Sequence, residues 1–306
     1  MSEIKTLQEK DMHKVAEQQK VVKVFVQVLL YLFLGIMAFI VIFPFYWMII
    51  SSLKGIDEYS LATPTFFPQE IYWTNYSVVF TNPSFAFSRL LVNTVYVGIV
   101  STILSLVITV LTAFAFARLE FKGKNTLFAI LLGTMMIPGE LFTITNYQTV
   151  ASRTSPFFMY DTYEVLIIPF LVSVFYIYLL KQNFMQIPNE LYLAAKVDGT
   201  TDLKYLWKVM IPLSLPTLIS ITILKMMGAW NSYMWPTLVT EEAHYLITNG
   251  IRSANFNIDH LGNPTLLPNY PMQMAAVALV SLPLFLVFVF LRKYIMKGVS
   301  RSGIKG

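Results

Sequence analysis

Lys225 is the residue in this chain whose position could carry chemistry, because the run SITILKMMGAW sets an ammonium inside an otherwise apolar segment. A charge there is costly in lipid unless it faces a cavity or a partner. Shortly after it, WNSYMWP brings Trp230, Asn231, Tyr233 and Trp235 together at the end of the same segment. Aromatic residues near a span end anchor it at the membrane interface, and an aromatic face beside an amide is also what a sugar ring and its hydroxyls need. Lys225, Asn231, Tyr233 and Trp235 are therefore the candidates for a solute path. Pairing of Lys225 with a carboxylate or carbonyl of a neighbouring subunit is the structural alternative. Elsewhere the means for catalysis are missing. His13, His244 and His260 stand outside the apolar runs with no carboxylate or second histidine at ligand spacing, so they read as solvated loop residues and no metal site is expected. The chain has no cysteine, which excludes disulfides, thiolate metal sites and thiol nucleophiles. It has no GxxxxGK[ST] run to cradle the phosphates of ATP.

A second stretch is polar where its surroundings are not: residues 189–216, NELYLAAKVDGTTDLKYLWKVMIPLSLP. Asn189 is placed to cap a helix, with Glu190 at the positive end of its dipole. Leu191, Ala194, Ala195 and Val197 continue it, and the small alanines leave a flat ridge on which another protein's surface can approach closely. Gly199, preceded by Asp198, tolerates the left-handed turn that ends such a helix. Thr201 or Asp202 can cap a second helix, in which Leu203, Leu206, Trp207 and Met210 fall at three-to-four-residue spacing. Trp207 is expected to pack this block against the rest of the chain. Pro212 and Pro216 then close it.

The elements that must position these residues are membrane spans. Of the 306 residues, 56% are hydrophobic and 13% charged, with mean hydropathy +0.61, against about 25% charged in soluble domains. A span needs about 20 apolar residues, and six candidates lie within 24–53, 90–117, from 126 to about 138, 165–180, 216–235 and 271–291. The first is too long for the core of a signal peptide and is followed by no cleavage site. With the N-terminus inside, 17 of the 22 Lys and Arg fall on cytoplasmic segments, while Lys54, Arg89, Arg153 and Arg252 fall outside. That bias places both termini and the polar block in the cytoplasm. The net charge of +5 thus encodes topology, and no nucleic-acid partner is implied. The outer segments are acidic, and 236–269 is rich in Asn, Gly and Pro, which suits an ordered loop.

At the polar block the chain resembles the permease subunits of binding-protein-dependent ABC importers, whose cytoplasmic loop carries Glu-Ala-Ala, three residues, Gly, then a hydrophobic helix ending near Leu-Pro. Ala194, Ala195, Asp198, Gly199, Trp207, Pro212 and Pro216 match, about a hundred residues before the C-terminus. WNSYMWP and the basic tail KGVSRSGIKG resemble the carbohydrate-uptake, maltose-type branch. The glutamate that names the family loop falls at Leu193, so no salt bridge can form from that position. Glu190, one turn earlier, offers a substitute carboxylate.

The resemblance implies an all-α polytopic membrane protein with six transmembrane helices, the type I ABC importer permease fold, in a bacterial plasma membrane and surrounded by lipid. It divides the chain into a cytoplasmic tail 1–23, a permease domain 24–298 with a coupling loop 189–212, and a tail 299–306. The implied partners are a second homologous permease, two ATPase subunits, an extracytoplasmic solute-binding protein and a sugar substrate. The chain itself would be no enzyme and bind no cofactor, with ATP and Mg on the ATPases. Coupling would run through Glu190, Ala194, Ala195, Asp198, Gly199, Trp207 and Pro212, and the binding protein would meet Asn249 and Asn255. A permease for a non-sugar solute such as glycerol phosphate is the alternative. An ion-coupled transporter is disfavoured, because no Asp or Glu lies in any span core and no repeat is visible.

Overall fold

The computed structural model describes residues 2–82, 85–254, 256–257 and 268–300. Asn255, His260 and the tail from 301 onward lie outside the described residues. Every regular element within them is helical. Three helices are long and apolar enough to cross a membrane alone: Val22–Ser52, the second part of a helix that begins at Ser2, then Phe87–Arg118 and Tyr270–Arg292. Three further pairs qualify when each bent pair is taken as one span: Lys124–Thr134 with Gly139–Ala151, bent by 83°, Tyr163–Phe170 with Val174–Met185, bent by 47°, and Asp202–Leu213 with Leu215–Trp230, bent by 80°.

The bends follow from the sequence. Lys124–Thr134 stops in a tight turn, where Met135, Met136 and Ile137 donate to the carbonyls three residues back, and Pro138 then cannot continue the ladder. The third apolar run, read in the sequence as ending at about residue 138, is followed across this bend by a second helical part, Gly139–Ala151. In the fourth run Pro169 ends the first half, and the Ser173 hydroxyl accepts the Tyr176 N–H to start the second. In the fifth, Ser214 and Pro216 form the corner.

Phe87–Arg118 is the central helix. It packs against Val174–Met185, Leu215–Trp230 and Ile247–Ser253. Leu90 lies toward one end of its buried face and Phe114 and Phe116 toward the other, while the middle, Asn93, Thr94, Val97, Gly98, Ser101, Thr102, Ser105 and Thr109, carries small and polar side chains. Such residues let helix backbones approach in lipid, where burial of apolar area gives no net drive. A Cβ on Gly98 would sit 2.8 Å from the Met226 sulfur, so the absence of a side chain there gives the Met226 thioether its place against the central helix. The first span, in contrast, exposes apolar side chains on all sides and meets the last span, the surface a membrane-facing helix needs.

Two of the buried clusters matter for the site. One joins Ala113 and Phe114 of the central helix to Leu180, Phe184, Leu206, Met210, Leu218 and Ile221. The other joins Leu90 and Trp230 to Ile247, Met272 and Ala275. The first seats the polar block, and the second closes the opposite end of the bundle.

Candidate functional site

The polar block folds as two helices meeting at a corner. The first runs Asn189–Val197, with Glu190 in its opening turn. Pro188, not Asn189, holds the capping position, and no side chain caps the helix. Its end is a Schellman turn: Gly199 has φ +70°, its N–H donates to Lys196 O at 3.0 Å, and Thr200 N–H donates to Ala195 O at 2.8 Å. Thr201 then caps the second helix by accepting the Lys204 N–H. Asp202 ties the two helices together, accepting from Lys196 Nζ at 2.6 Å and Tyr192 Oη at 2.8 Å. The Tyr192 and Tyr205 rings meet at 5.1 Å. A corner held this way turns as one piece.

What the block shows to the outside differs from the sequence expectation in one respect. Trp207 does not pack the block down; it is 67% exposed, as is Leu203 at 59%. Tyr205, Leu206 and Met210 are the buried face. Glu190, Ala194, Asp198, Gly199 and Pro212 are also exposed, with Ala195 partly covered. Leu193 and Val197 stand out at 56% and 88% exposure. The block therefore presents an exposed surface on which Leu193, Val197, Leu203 and Trp207 stand among the charged residues Glu190, Lys196, Asp198, Lys204 and Lys208.

Arg118, counted in the sequence only as a topology charge, fixes the block. It is the last residue of the central helix and is 9% exposed. Its Nη2 donates to Phe184 O at 2.9 Å, in the last turn of Val174–Met185, and to Ile187 O at 2.5 Å, just beyond that helix. A cation there also opposes the negative end of that helix dipole. The segment that leads into Asn189 is thus clamped to the central helix. A basic residue ending a charge-free run was the sequence signal, and it could not distinguish a clamp from an interfacial charge.

Lys225 lies beside a cavity of about 390 Å³. Its walls come from Val97 and Ser101 of the central helix, both sides of the break in the fourth span, Gly228 and Ala229, and then Ser232 and Trp235. Lys225 Nζ donates to Phe170 O, the carbonyl at that break. Phe170 and Trp235 meet edge to face at 5.8 Å, and Trp235 Nε1 donates to Val165 O at 2.9 Å. Of the four path candidates, Lys225 and Trp235 reach this cavity and Asn231 and Tyr233 do not. Asn231 is exposed and closes its own helix by donating to Met227 O at 3.0 Å. Tyr233 carries the Arg252 guanidinium 4.6 Å over its ring, beside a smaller cavity of about 110 Å³.

Asn249 is not presented to a partner. It is 3% exposed, and its Nδ2 donates to Tyr233 O at 3.1 Å and Thr237 Oγ1 at 2.6 Å, joining two short helices. His244 is not a bare loop residue either. Its Nδ1 lies 2.9 Å from Asp161 Oδ1 and its ring meets Tyr163 at 4.7 Å, while Tyr163 Oη donates to Asn93 Oδ1 at 2.7 Å. Burial disfavours the Asp161 carboxylate, but the Glu241 N–H and the His244 ring outweigh it and hold its pKa below the usual value. Lys54, counted as an outer charge, is 2% exposed, with its Nζ on Thr65 O and 4.8 Å over the Trp47 ring.

The family described as "Binding-protein-dependent transport system inner membrane component" matches residues 14–301. The arabinooligosaccharides transport system permease protein of Halalkalibacterium halodurans is 28% identical over 275 residues, covering 88% of this chain and 93% of that protein. The sn-glycerol-3-phosphate transport system permease protein of Yersinia pestis is 26% identical, covering 86% and 92%. Among solved structures, a bacterial ABC transporter involved in the import of the acidic polysaccharide alginate has a chain that superposes with TM-score 0.77 at 22% identity, covering 88% of this chain and 96% of that one. The last likeness establishes the fold.

Proposed function

Since the chain belongs to the binding-protein-dependent transport system inner membrane component family, we propose that it is the permease subunit of an ATP-driven ABC importer that moves a carbohydrate across the bacterial plasma membrane by alternating access. The observation that carries this reading is the clamped, protruding block: two short helices fixed at Gly199 and Asp202, anchored by Arg118, with Leu193, Val197, Leu203 and Trp207 on an outer surface that no other described residue covers. That surface is where an ATPase subunit docks, through Glu190, Ala194, Ala195, Asp198, Gly199, Trp207 and Pro212. ATP and Mg sit on the ATPases, and this chain contributes no catalytic group. Two ATPases, a second homologous permease and an extracytoplasmic solute-binding protein complete the assembly. Residues 1–23 and 299–306 flank the permease domain in the cytoplasm, and 189–212 forms the coupling loop.

Closure of the ATPase dimer pulls the block, the helices above it tilt, and the solute cavity changes the side to which it opens. Because Leu193 replaces the family glutamate, the contact at that position is apolar, and Glu190 supplies the carboxylate. The test is reconstitution. The tagged chain is co-purified from its host with its partners and placed in proteoliposomes, and uptake of labelled oligosaccharides is followed with ATP inside and the binding protein outside. Uptake that needs ATP and the binding protein is expected. An assembly that imports glycerol phosphate and no sugar would overturn the substrate class, and ATP-independent uptake driven by an ion gradient would overturn the mechanism.

A further inference from the structure

The cavity beside Lys225 has an asymmetry of charge that the reading above does not use. Its fifteen lining residues include one cation and no carboxylate. The nitrogen of Lys225 has a neutral partner, the Phe170 carbonyl. In lipid a cation held by one carbonyl remains undercompensated. The surrounding wall is built to leave room beside it. Lys225, Gly228 and Ala229 share one helical stripe, with Ser232 just beyond the helix end, and the two residues next to the lysine have almost no side chain. A Cβ on Gly228 would meet nothing within 4 Å. The aromatic rings of Phe170, Tyr176 and Trp235 and the side chains of Ser101 and Ser173 also line the cavity. The Ser173 oxygen accepts the Tyr176 N–H, which leaves its proton free to donate. A volume of about 390 Å³ is within the range that small-molecule pockets occupy, about 300–1,000 Å³.

We propose that Lys225 is the counter-ion for an acidic group on the transported solute, and that the cavity accepts one carboxylated sugar unit, a uronate, with its ring against Phe170, Tyr176 and Trp235. This rests on the carbohydrate-import reading and adds the substrate class to it. On entry of the solute, the ammonium turns from Phe170 O to the carboxylate, exchanging a neutral acceptor for an anionic one. Phe170 O belongs to the break between Tyr163–Phe170 and Val174–Met185, so the same exchange releases the bond that ties Leu215–Trp230 to that break.

The experiment uses the complete transporter with its binding protein in proteoliposomes. Uptake of digalacturonate, of the neutral sugar arabinotriose and of glycerol 3-phosphate is measured for wild type, Lys225→Met, Lys225→Arg and Gly228→Leu. Import of digalacturonate by the wild type is expected. In Lys225→Met its uptake relative to arabinotriose should fall about tenfold to a hundredfold, the weight of one hydrogen bond to a charged group. Lys225→Arg should keep most of that ratio, and Gly228→Leu, which fills the open space, should reduce digalacturonate uptake. Import of arabinotriose alone by the wild type overturns the acidic-sugar assignment and leaves the carbohydrate reading standing. Import of glycerol 3-phosphate alone overturns both. Equal loss of every solute in Lys225→Met overturns the assignment, as does failure of Lys225→Met to assemble when Lys225→Arg assembles, because the counter-ion then lies in the partner permease.

Discussion

Replacing Gly199 separates the backbone from the surface as the reason for a glycine at the corner of the block. Its φ of +70° lies in the left-handed region, and a Cβ there would meet nothing within 4 Å. A side chain therefore costs only conformational energy, about 1–2 kcal/mol for an ordinary residue, and more for a β-branched one. A turn that escapes the strain gives up its two closing bonds, Gly199 to Lys196 and Thr200 to Ala195, at about 1 kcal/mol each. Either way the penalty is about 1–2 kcal/mol or more, which lowers the population of the native corner about five- to thirtyfold. Asn tolerates the left-handed region, so Gly199→Asn should remain near wild type, Gly199→Ala should fall between, and Gly199→Val should be lowest. The assay is solute imported per ATP hydrolysed in proteoliposomes, with insertion checked in the same membranes. Normal coupling in Gly199→Val would refute the reasoning. An Asn variant as poor as Val would refute it differently, by showing that the partner surface needs the absence of a side chain.

Arg118→Met removes both charged bonds to Phe184 O and Ile187 O, each worth about 1.5–3 kcal/mol; the thermal midpoint of the solubilised protein should drop, with partial recovery in Arg118→Lys, and an unchanged midpoint would dismiss the clamp. In Gly250→Ala the new Cβ would lie 2.1 Å from Leu90 Cδ1, so folded yield should fall and return when Leu90→Ala is added. No rescue by that second change would show that the helices separate for another reason.

How much of this was legible depended on how local the cause was. Gly199, Thr201 and the close of the block at Pro212 and Pro216 were readable because their effects are written into a few consecutive residues; the break at residues 171–173 inside the fourth run was not read. Trp207 failed because periodicity names stripes, not the one that faces inward. Leu203 with Trp207 and Leu206 with Met210 are both four-residue stripes on one helix, and the core that buries Leu206 and Met210 includes Ala113, Phe114, Leu180 and Phe184, distant in sequence. Arg118 was missed for the same reason, since its acceptors lie 66 and 69 residues away. Asn231 and Tyr233 looked like sugar ligands from their types. Neighbouring backbone and Arg252 engage them instead, and the amide beside an aromatic in sequence faces elsewhere in space.

The buried clusters show why the block and the cavity are one device. Val174–Met185 contributes Leu180 and Phe184 to the core beneath the block, while its first turn, with the capping Ser173, gives Tyr176 to the cavity. Leu215–Trp230 repeats the arrangement: Leu218 and Ile221 pack into that same core, and Lys225, one turn beyond Ile221, lines the cavity with Gly228 and Ala229. One turn is about 5.4 Å of rise. Each helix is thus held at one end by the block and forms the cavity wall at the other, and neither carries a proline between those contacts. A tilt of the block moves both walls together unless a helix bends. The permitted bends lie outside these stretches, at residues 171–173 and at Ser214, and Lys225 bridges to the first of them. In the proposed transport cycle these two unbroken helical segments join the block to the cavity wall, and the bond from Lys225 to Phe170 crosses from that wall to the break in the fourth span.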